Sequence, residues 1–363
     1  MLRVIIELEN ETVLNVNSEI GYLHRGTEKL SEYSEYYKIL PFFDRMDYTG
    51  LTLCEHAYIL NVEKLLNKTN NFYVIILRSL LNELMRISSH LLALTTSAMD
   101  VGAITPFLWA FEEREEIASL FENLTGSRIH TALFKKEGLN FSINKNDLFL
   151  IKEIIIRIKI KLVEIYELLS NSSIWKIRMG NVGIVPYSLV LKNGLSGPLA
   201  RSTGYTYDMR LLSPYESFQF INLPISFGSK GDNLTRFYLR LEEIFNSLQY
   251  IDYLLVILLP ISNNKPFSRD VTMESIIQDF KNFSEGYNIK SNKSYLAVES
   301  PKGEFGVTII SSNRSIGRPF RLKVRSPGFY NLSSLNAVCS NYLLSDLLSY
   351  LSTLDLILGE VDR

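Results

Sequence analysis

Residues 148–169, LFLIKEIIIRIKIKLVEIYELL, carry the pattern that decides the fold class. Leu148, Ile151, Ile155, Ile158, Leu162, Ile165 and Leu169 recur at alternating spacings of three and four, which lines one face of an α-helix with apolar groups. Lys and Glu fill the intervening positions, so the stripe predicts a long helix lying against another helix. A second stripe follows at Leu234, Phe237, Leu241, Ile244, Leu248, Ile251, Leu255 and Leu258, and a shorter third at Leu344, Leu347, Leu351, Leu354 and Leu358. Upstream, residues 51–124 also read as helical, with Leu77, Leu80, Leu81, Leu84, Leu91 and Leu92 largely on one face and Glu83, Arg86 and His90 on another. Core packing is the ordinary meaning of such stripes.

Other stretches change period. Residues 2–8 and 12–16 read as two strands of a hairpin around Asn10-Glu11, and residues 294–299 and 305–310 as a second hairpin around Pro301-Lys302-Gly303. Residues 320–324 add a strand to it. Gly and Pro cluster between residues 180 and 231, which predicts irregular loops. The expected fold is therefore α+β, a predominantly helical bundle core with small antiparallel sheets at its edges. Two regions are expected: residues 1–50, with the hairpin and loops, and residues 51–363, a helical core with a small β lobe at about 290–326.

Composition removes several functions. With 38 basic and 39 acidic side chains the formal charge is −1, so the electrostatics do not favour nucleic acid or an anionic membrane surface. The greasiest stretch, residues 250–261, is broken by Asp252 and Pro260 and predicts no transmembrane segment. MLRVIIELEN reads as neither a signal nor a transit peptide. Cys54 and Cys339 are too few for a zinc ribbon or a self-held iron–sulfur cluster, so no metal is expected on this chain. GxGxxG, Walker A, HExxH and GxSxG motifs are all missing. His24, His56, His90 and His130 have no ligand spacing, and each by itself reads as a structural residue.

Longer words carry more. Gly21-Tyr22-Leu23-His24-Arg25-Gly26-Thr27-Glu28-Lys29-Leu30 precedes Leu40-Pro41-Phe42-Phe43-Asp44-Arg45-Met46-Asp47-Tyr48. Ala57-Tyr58, Val62-Glu63-Lys64-Leu65-Leu66, Gly102-Ala103-Ile104-Thr105-Pro106-Phe107 and Phe111-Glu112-Glu113-Arg114-Glu115 follow. Pro301-Lys302-Gly303-Glu304-Phe305-Gly306 and Gly359-Glu360-Val361-Asp362-Arg363 complete the series. In this order they resemble the NADH dehydrogenase subunit 7 family, the hydrogenase-derived quinone-site subunit of respiratory complex I, over the whole chain and in a mitochondrial-looking form.

That resemblance implies a fold like the nickel–iron hydrogenase large subunit, without its metal. The family's two Cys-x-x-Cys pairs correspond to Cys54-Glu55-His56-Ala57 and Ile357-Leu358-Gly359-Glu360, which cannot hold a soft metal. It implies ubiquinone as the substrate, reduced with electrons from a 4Fe–4S cluster held by a neighbouring subunit. Tyr48 matches the headgroup tyrosine, whose phenol can donate a hydrogen bond and a proton to a quinone carbonyl. Arg25, Arg45 and His130 match positions near the partner's cluster, where fixed cations favour the reduced state. Val361 matches the cavity rim.

Asp100 matches an aspartate that bonds a second quinone ligand, a histidine of a His-Pro-x-x-His-Gly stretch just upstream of the family's first Leu-Arg. Here that dipeptide is Leu2-Arg3. The expectation favours an upstream start or a separate polypeptide supplying the loop over a site that works with Tyr48 alone. The implied partners are the cluster-bearing subunit, other peripheral-arm subunits and the membrane-arm quinone-channel subunit, on the matrix side of the mitochondrial inner membrane. A non-catalytic scaffold role in the same complex is the alternative.

Overall fold

The computed structural model describes residues 2–261, 272–313 and 317–363. The chain opens with the hairpin β1 (Arg3–Glu9) and β2 (Thr12–Glu19), then α1 (Thr27–Tyr33) and α2 (Leu40–Asp44). The helices α3 (Leu51–Leu66), α4 (Phe72–Val101) and α5 (Ile104–Thr125) follow, then a two-residue ladder, β3 (Phe134–Lys135) with β4 (Gly138–Leu139). After α6 (Lys145–Asn171) come the short helices α7 (Ser173–Met179), α8 (Tyr187–Asn193), α9 (Pro198–Arg201) and α10 (Met209–Leu212). The remainder is α11 (Asn233–Ile261), α12 (Met273–Ser284), the strands β5 (Asn292–Ser300), β6 (Gly303–Ser311) and β7 (Arg321–Arg325), and the helices α13 (Pro327–Leu332), α14 (Leu335–Cys339), α15 (Leu344–Leu354) and α16 (Leu358–Asp362).

The stripe that predicted α6 is its buried face: all seven of its residues are buried, with Ile154 beside them. Asn144 and Asp147 close a reciprocal capping box at its start, satisfying two N–H groups that the first turn leaves free. At about 1.5–3 kcal/mol for each buried aliphatic side chain, this face is a large share of the helix's anchorage. The helix packs on α5 and α11, and α11 packs in turn on α4. The third stripe overreaches. Asp355 adopts a left-handed conformation (φ 51°) and ends α15 at Leu354, so Leu358 starts a separate helix.

α4 differs from its sequence pattern in an instructive way. Its polar side, Glu83, Arg86 and His90, is fully buried, so the helix is enclosed nearly all round. Arg86 Nε donates to the Glu83 carboxylate and its Nη2 to the carbonyl of Glu299 at 2.6 Å. His90 Nε2 bonds Glu243 on α11 at 2.9 Å, and Arg201 reaches the same Glu243 and Glu299. Charges removed from water must be paired, and these are.

The second hairpin forms as expected, with Ser300 opposite Gly303 and Val298 opposite Phe305, and β7 joins it antiparallel to β6. This sheet lies against α3. Residues 314–316 of the β lobe lie outside the described residues. The region between residues 180 and 231 is irregular, as its Gly and Pro predicted, but holds several short helices. A second, smaller core joins Val13 and Val16 of β2 to Leu335, Val338, Leu347, Tyr350 and Val361. Among the described residues no helix is long and apolar enough to cross a membrane.

Candidate functional site

Asp47 and Tyr48 stand just before α3 and face opposite worlds. Asp47 is 0% exposed and Tyr48 56% exposed. Asp47 Oδ1 accepts from the backbone N–H groups of Thr49 and Gly50, both at 3.1 Å, and from Thr49 Oγ1 at 2.9 Å, which ties down the turn that leads into α3. Lys302, from the turn between β5 and β6, donates to both Asp47 oxygens at 3.2 and 3.0 Å and to Thr49 Oγ1 at 2.8 Å. Asp355 lies 3.7 Å from the same ammonium. Thr49 also meets Ser89 of α4 at 3.2 Å. The backbone that presents Tyr48 is thus fixed by ionic contacts behind it.

The electrostatics of this cluster are those of a closed site. Burial works against the Lys302 proton, but Asp355, Asp47 and Glu360 override it and hold the ammonium well above its ordinary value. Burial, then Asp47, pushes the Glu360 carboxyl up to about 8, so it is protonated at neutral pH while Ser326 Oγ donates to it at 3.1 Å. Burial and then Asp47 also raise the Cys54 thiol well above its usual range, leaving it unionised. Cys54 and Glu360 therefore sit in the field of one lysine. A buried ammonium, a neutral thiol and carboxylates do not make a soft-metal site, and among the described residues no group of three His, Cys, Asp or Glu could hold a metal ion.

Outside this cluster lies a cationic patch. Arg25 Nη2 donates to the Arg45 carbonyl at 2.6 Å, and Arg45 Nη1 to the Pro41 carbonyl at 2.9 Å; both side chains are exposed. Asp44, one residue before Arg45, accepts from Ala132 N–H at 3.1 Å, which brings the His130 loop to the same turn. His130 is exposed, with φ 60°. Arg25, Arg45, Tyr48 and His130 are therefore gathered from two distant parts of the chain.

The terminal word explains why Arg25 lies there. Asp362 accepts from the N–H groups of Gly21 at 2.9 Å and Leu23 at 2.7 Å, and its carbonyl meets His24 Nδ1 at 2.7 Å. Gly359 stands where a Cβ would come 2.7 Å from the Met46 carbonyl and 3.1 Å from Arg25 Nη2, so only glycine permits this approach. Val361 is a core residue of the smaller cluster, buried beside Gly328, and does not face an open surface in the isolated chain.

Asp100 stays apart. It is exposed near the end of α4, and among the described residues its side chain has no hydrogen-bond or ion-pair partner. Ser89, the α4 residue that meets Thr49, is about three turns away, on the order of 16 Å along the helix at 1.5 Å per residue. The other histidines are structural, as expected of them singly. His56 is buried between Asn82 and Glu216, His90 is tied to Glu243, and His24 to the Asp362 carbonyl. Lys302, Asp47, Asp355, Asp44 and Glu55 were not singled out as site residues by the sequence. Lys302, Asp44 and Asp47 had only their membership of the PKGEFG and FFDRMDY words as a signal, Glu55 only its place beside Cys54, and Asp355 none.

Comparison with known proteins gives this geometry a family. The family model described as "Respiratory-chain NADH dehydrogenase, 49 Kd subunit" matches residues 100–363, more than half of the chain. The chain belongs to that family. A protein of Acanthamoeba castellanii named NADH-ubiquinone oxidoreductase 49 kDa subunit is 41% identical over 375 residues, covering 100% of this chain and 92% of the relative. Proteins of the same name from Dictyostelium discoideum and Cafeteria roenbergensis are 40% and 39% identical, each covering 100% of this chain and 93% of the relative. The 49 kDa relatives are thus named as subunits of an oxidoreductase, and the fold and patch described above are those of a member of their family.

Proposed function

We propose that this chain is the quinone-site core subunit of NADH:ubiquinone oxidoreductase, working on the matrix side of the mitochondrial inner membrane. The observation that carries the reading is Tyr48: an exposed phenol on a backbone locked by Asp47 and Lys302, three residues after the exposed Arg45, whose carbonyl accepts from Arg25. A phenol held in this way donates a hydrogen bond to a quinone carbonyl and supplies a proton as that oxygen gains negative charge. Two electrons and two protons complete the quinol. The electrons come from a 4Fe–4S cluster of a neighbouring subunit, since Cys54 and Cys339 are buried and too few to hold one.

Arg25, Arg45 and His130 are the residues that face that cluster in this reading. Fixed guanidinium charges favour its reduced state, and an exposed imidazole takes up a proton as negative charge arrives. Asp100 and Val361 take part as second-donor partner and cavity rim. Asp100, exposed and with no side-chain partner among the described residues, is free to accept a hydrogen bond from a histidine of a neighbouring segment. Descent from a hydrogenase large subunit is supported by the meeting of Cys54 and Glu360 around Lys302, where the ammonium takes the place of a metal's charge. The partners are the cluster-bearing subunit, the other peripheral-arm subunits and the membrane-arm subunit of the quinone channel.

The test is Tyr48→Phe in the assembled complex. General-acid and hydrogen-bond contributions of this kind are worth about 100-fold or more, so quinone reduction falls by that order while assembly is retained. Full quinone reduction in an assembled Tyr48→Phe complex would refute the catalytic reading and leave the scaffold role.

A further inference from the structure

Behind the cationic patch, two buried carboxyl groups have oxygens that nothing in their surroundings satisfies. Asp44 closes α2 and Glu55 lies in α3, at 1% and 0% exposure. Each uses one oxygen on the segment that follows His130. Asp44 Oδ2 accepts from Ala132 N–H and Glu55 Oε2 from Phe134 N–H, both at 3.1 Å. The remaining oxygens, Asp44 Oδ1 and Glu55 Oε1, are buried and have no donor. The two carboxyl groups are bonded to N–H groups only two residues apart, which sets them side by side, and Asp44 bears on the protonation of Glu55.

Two ionised carboxylates in that position would be acceptors pressed against each other, in a place that offers no compensating cation. Among the described residues neither forms a salt bridge, and the nearest guanidinium in sequence, Arg45, spends its donor on Pro41. Burial, reinforced by Asp44, pushes the Glu55 carboxyl well above the usual carboxylate range. A single proton removes both vacancies, because one group becomes an O–H donor and the other stays an acceptor.

We propose that Asp44 and Glu55 share one proton and act, as an acid–carboxylate pair, as positioning residues for His130, pinning its loop through the N–H groups of Ala132 and Phe134. The loop needs holding: His130 and Ala132 both carry left-handed backbone at φ 60° and 43°, which non-glycine residues adopt only at a cost. That the loop is held for the benefit of a neighbouring cluster rests on the function proposed above. The pinning itself does not.

Amide substitutions give the test its sign. In Glu55→Gln the amide oxygen keeps the Phe134 N–H and the NH₂ donates to Asp44; in Asp44→Asn the roles mirror. Combining the two sets NH₂ against NH₂, with no acceptor between them. Hydrogen–deuterium exchange of the peptide spanning residues 129–136, in the assembled complex, should therefore be unchanged in either single variant. In the double variant it should be faster by on the order of tenfold or more, the loss of one to two buried hydrogen bonds. A double variant that fails to assemble while both singles assemble is the same result at larger amplitude. A double variant as protected as the singles, or a single variant as exposed as the double, would overturn the shared proton.

A second readout separates holding from mere stability. The pH dependence of the cluster's midpoint potential, followed by redox titration and electron paramagnetic resonance, should survive in both singles and flatten in the double. A double variant with a fast-exchanging loop and an undiminished pH dependence would overturn the positioning role for His130. Because exchange is read without turnover, failure of the Tyr48→Phe test would leave the pinning result standing.

Discussion

Tyr48 and Asp47 are consecutive residues in two different dielectric worlds. The exposed patch of Arg25, Arg45, Tyr48 and His130 spends its side-chain donors on backbone carbonyls or leaves them open to a partner. The cluster behind it is largely buried, with the single ammonium of Lys302 set among Asp47, Asp355 and a protonated Glu360. The difference teaches where each kind of substitution will be felt. On the function proposed above, a change in the patch removes chemistry from a standing fold, whereas a change in the cluster removes the ground on which that chemistry stands.

The contrast breaks most visibly at Lys302. Lys302→Met leaves Asp47 buried without its cation, and losing one partner of such a pair costs about 3–5 kcal/mol. The subunit should fail to enter the complex, scored on native gels, and Lys302→Met combined with Asp47→Asn should recover part of the loss. Full assembly of the single variant would erase the distinction between patch and cluster.

Gly359→Ala comes next. A Cβ there meets the Met46 backbone at 2.7 Å, and forcing such a contact open costs about 1–3 kcal/mol. Exchange of residues 21–26 should quicken while residues 145–171 stay protected. Equal protection of both peptides would show that the close approach is not needed.

Glu360 sharpens the comparison through pH. Its folded carboxyl titrates at about 8, above the ordinary carboxyl range, so the folded form binds the extra proton. Its contribution is fully present at low pH and is lost as pH rises from that range through about 8. Protection of residues 356–363 should therefore weaken with alkalinity, and Glu360→Gln should flatten that trend with little effect at neutral pH. A trend equally steep in the variant would assign it to another group. The smallest effect belongs to the exposed Arg157–Glu116 pair at 2.6 Å, where Arg157→Ala should change the melting temperature by the equivalent of about 0.5 kcal/mol or less.

The helices were legible because burial writes a period into the chain. The stripe at residues 148–169 marks α6 to within a few residues at each end, and the one at residues 234–258 marks α11. The third ran through Asp355 because a single left-handed residue leaves no trace in hydrophobic spacing. Ionic contacts have no period at all. Lys302 meets Asp47 across 255 residues, and nothing local to either one announces the other. Tyr48, Arg25 and His130 were singled out only through the family resemblance, since an exposed tyrosine, arginine and histidine are unremarkable by themselves. The polar side of α4 shows another limit: the spacing set Glu83, Arg86 and His90 on one face without saying that this face is core.

The bonds from Gly21, Leu23 and His24 to Asp362 span 341, 339 and 338 residues. Contacts of that separation form only when two segments from far apart in the chain are both in place. The position of Arg25 is thus a property of the closed fold and of no local segment. A surface built in that way serves as a certificate of completion: whatever docks against it meets finished molecules and passes over those still on the way.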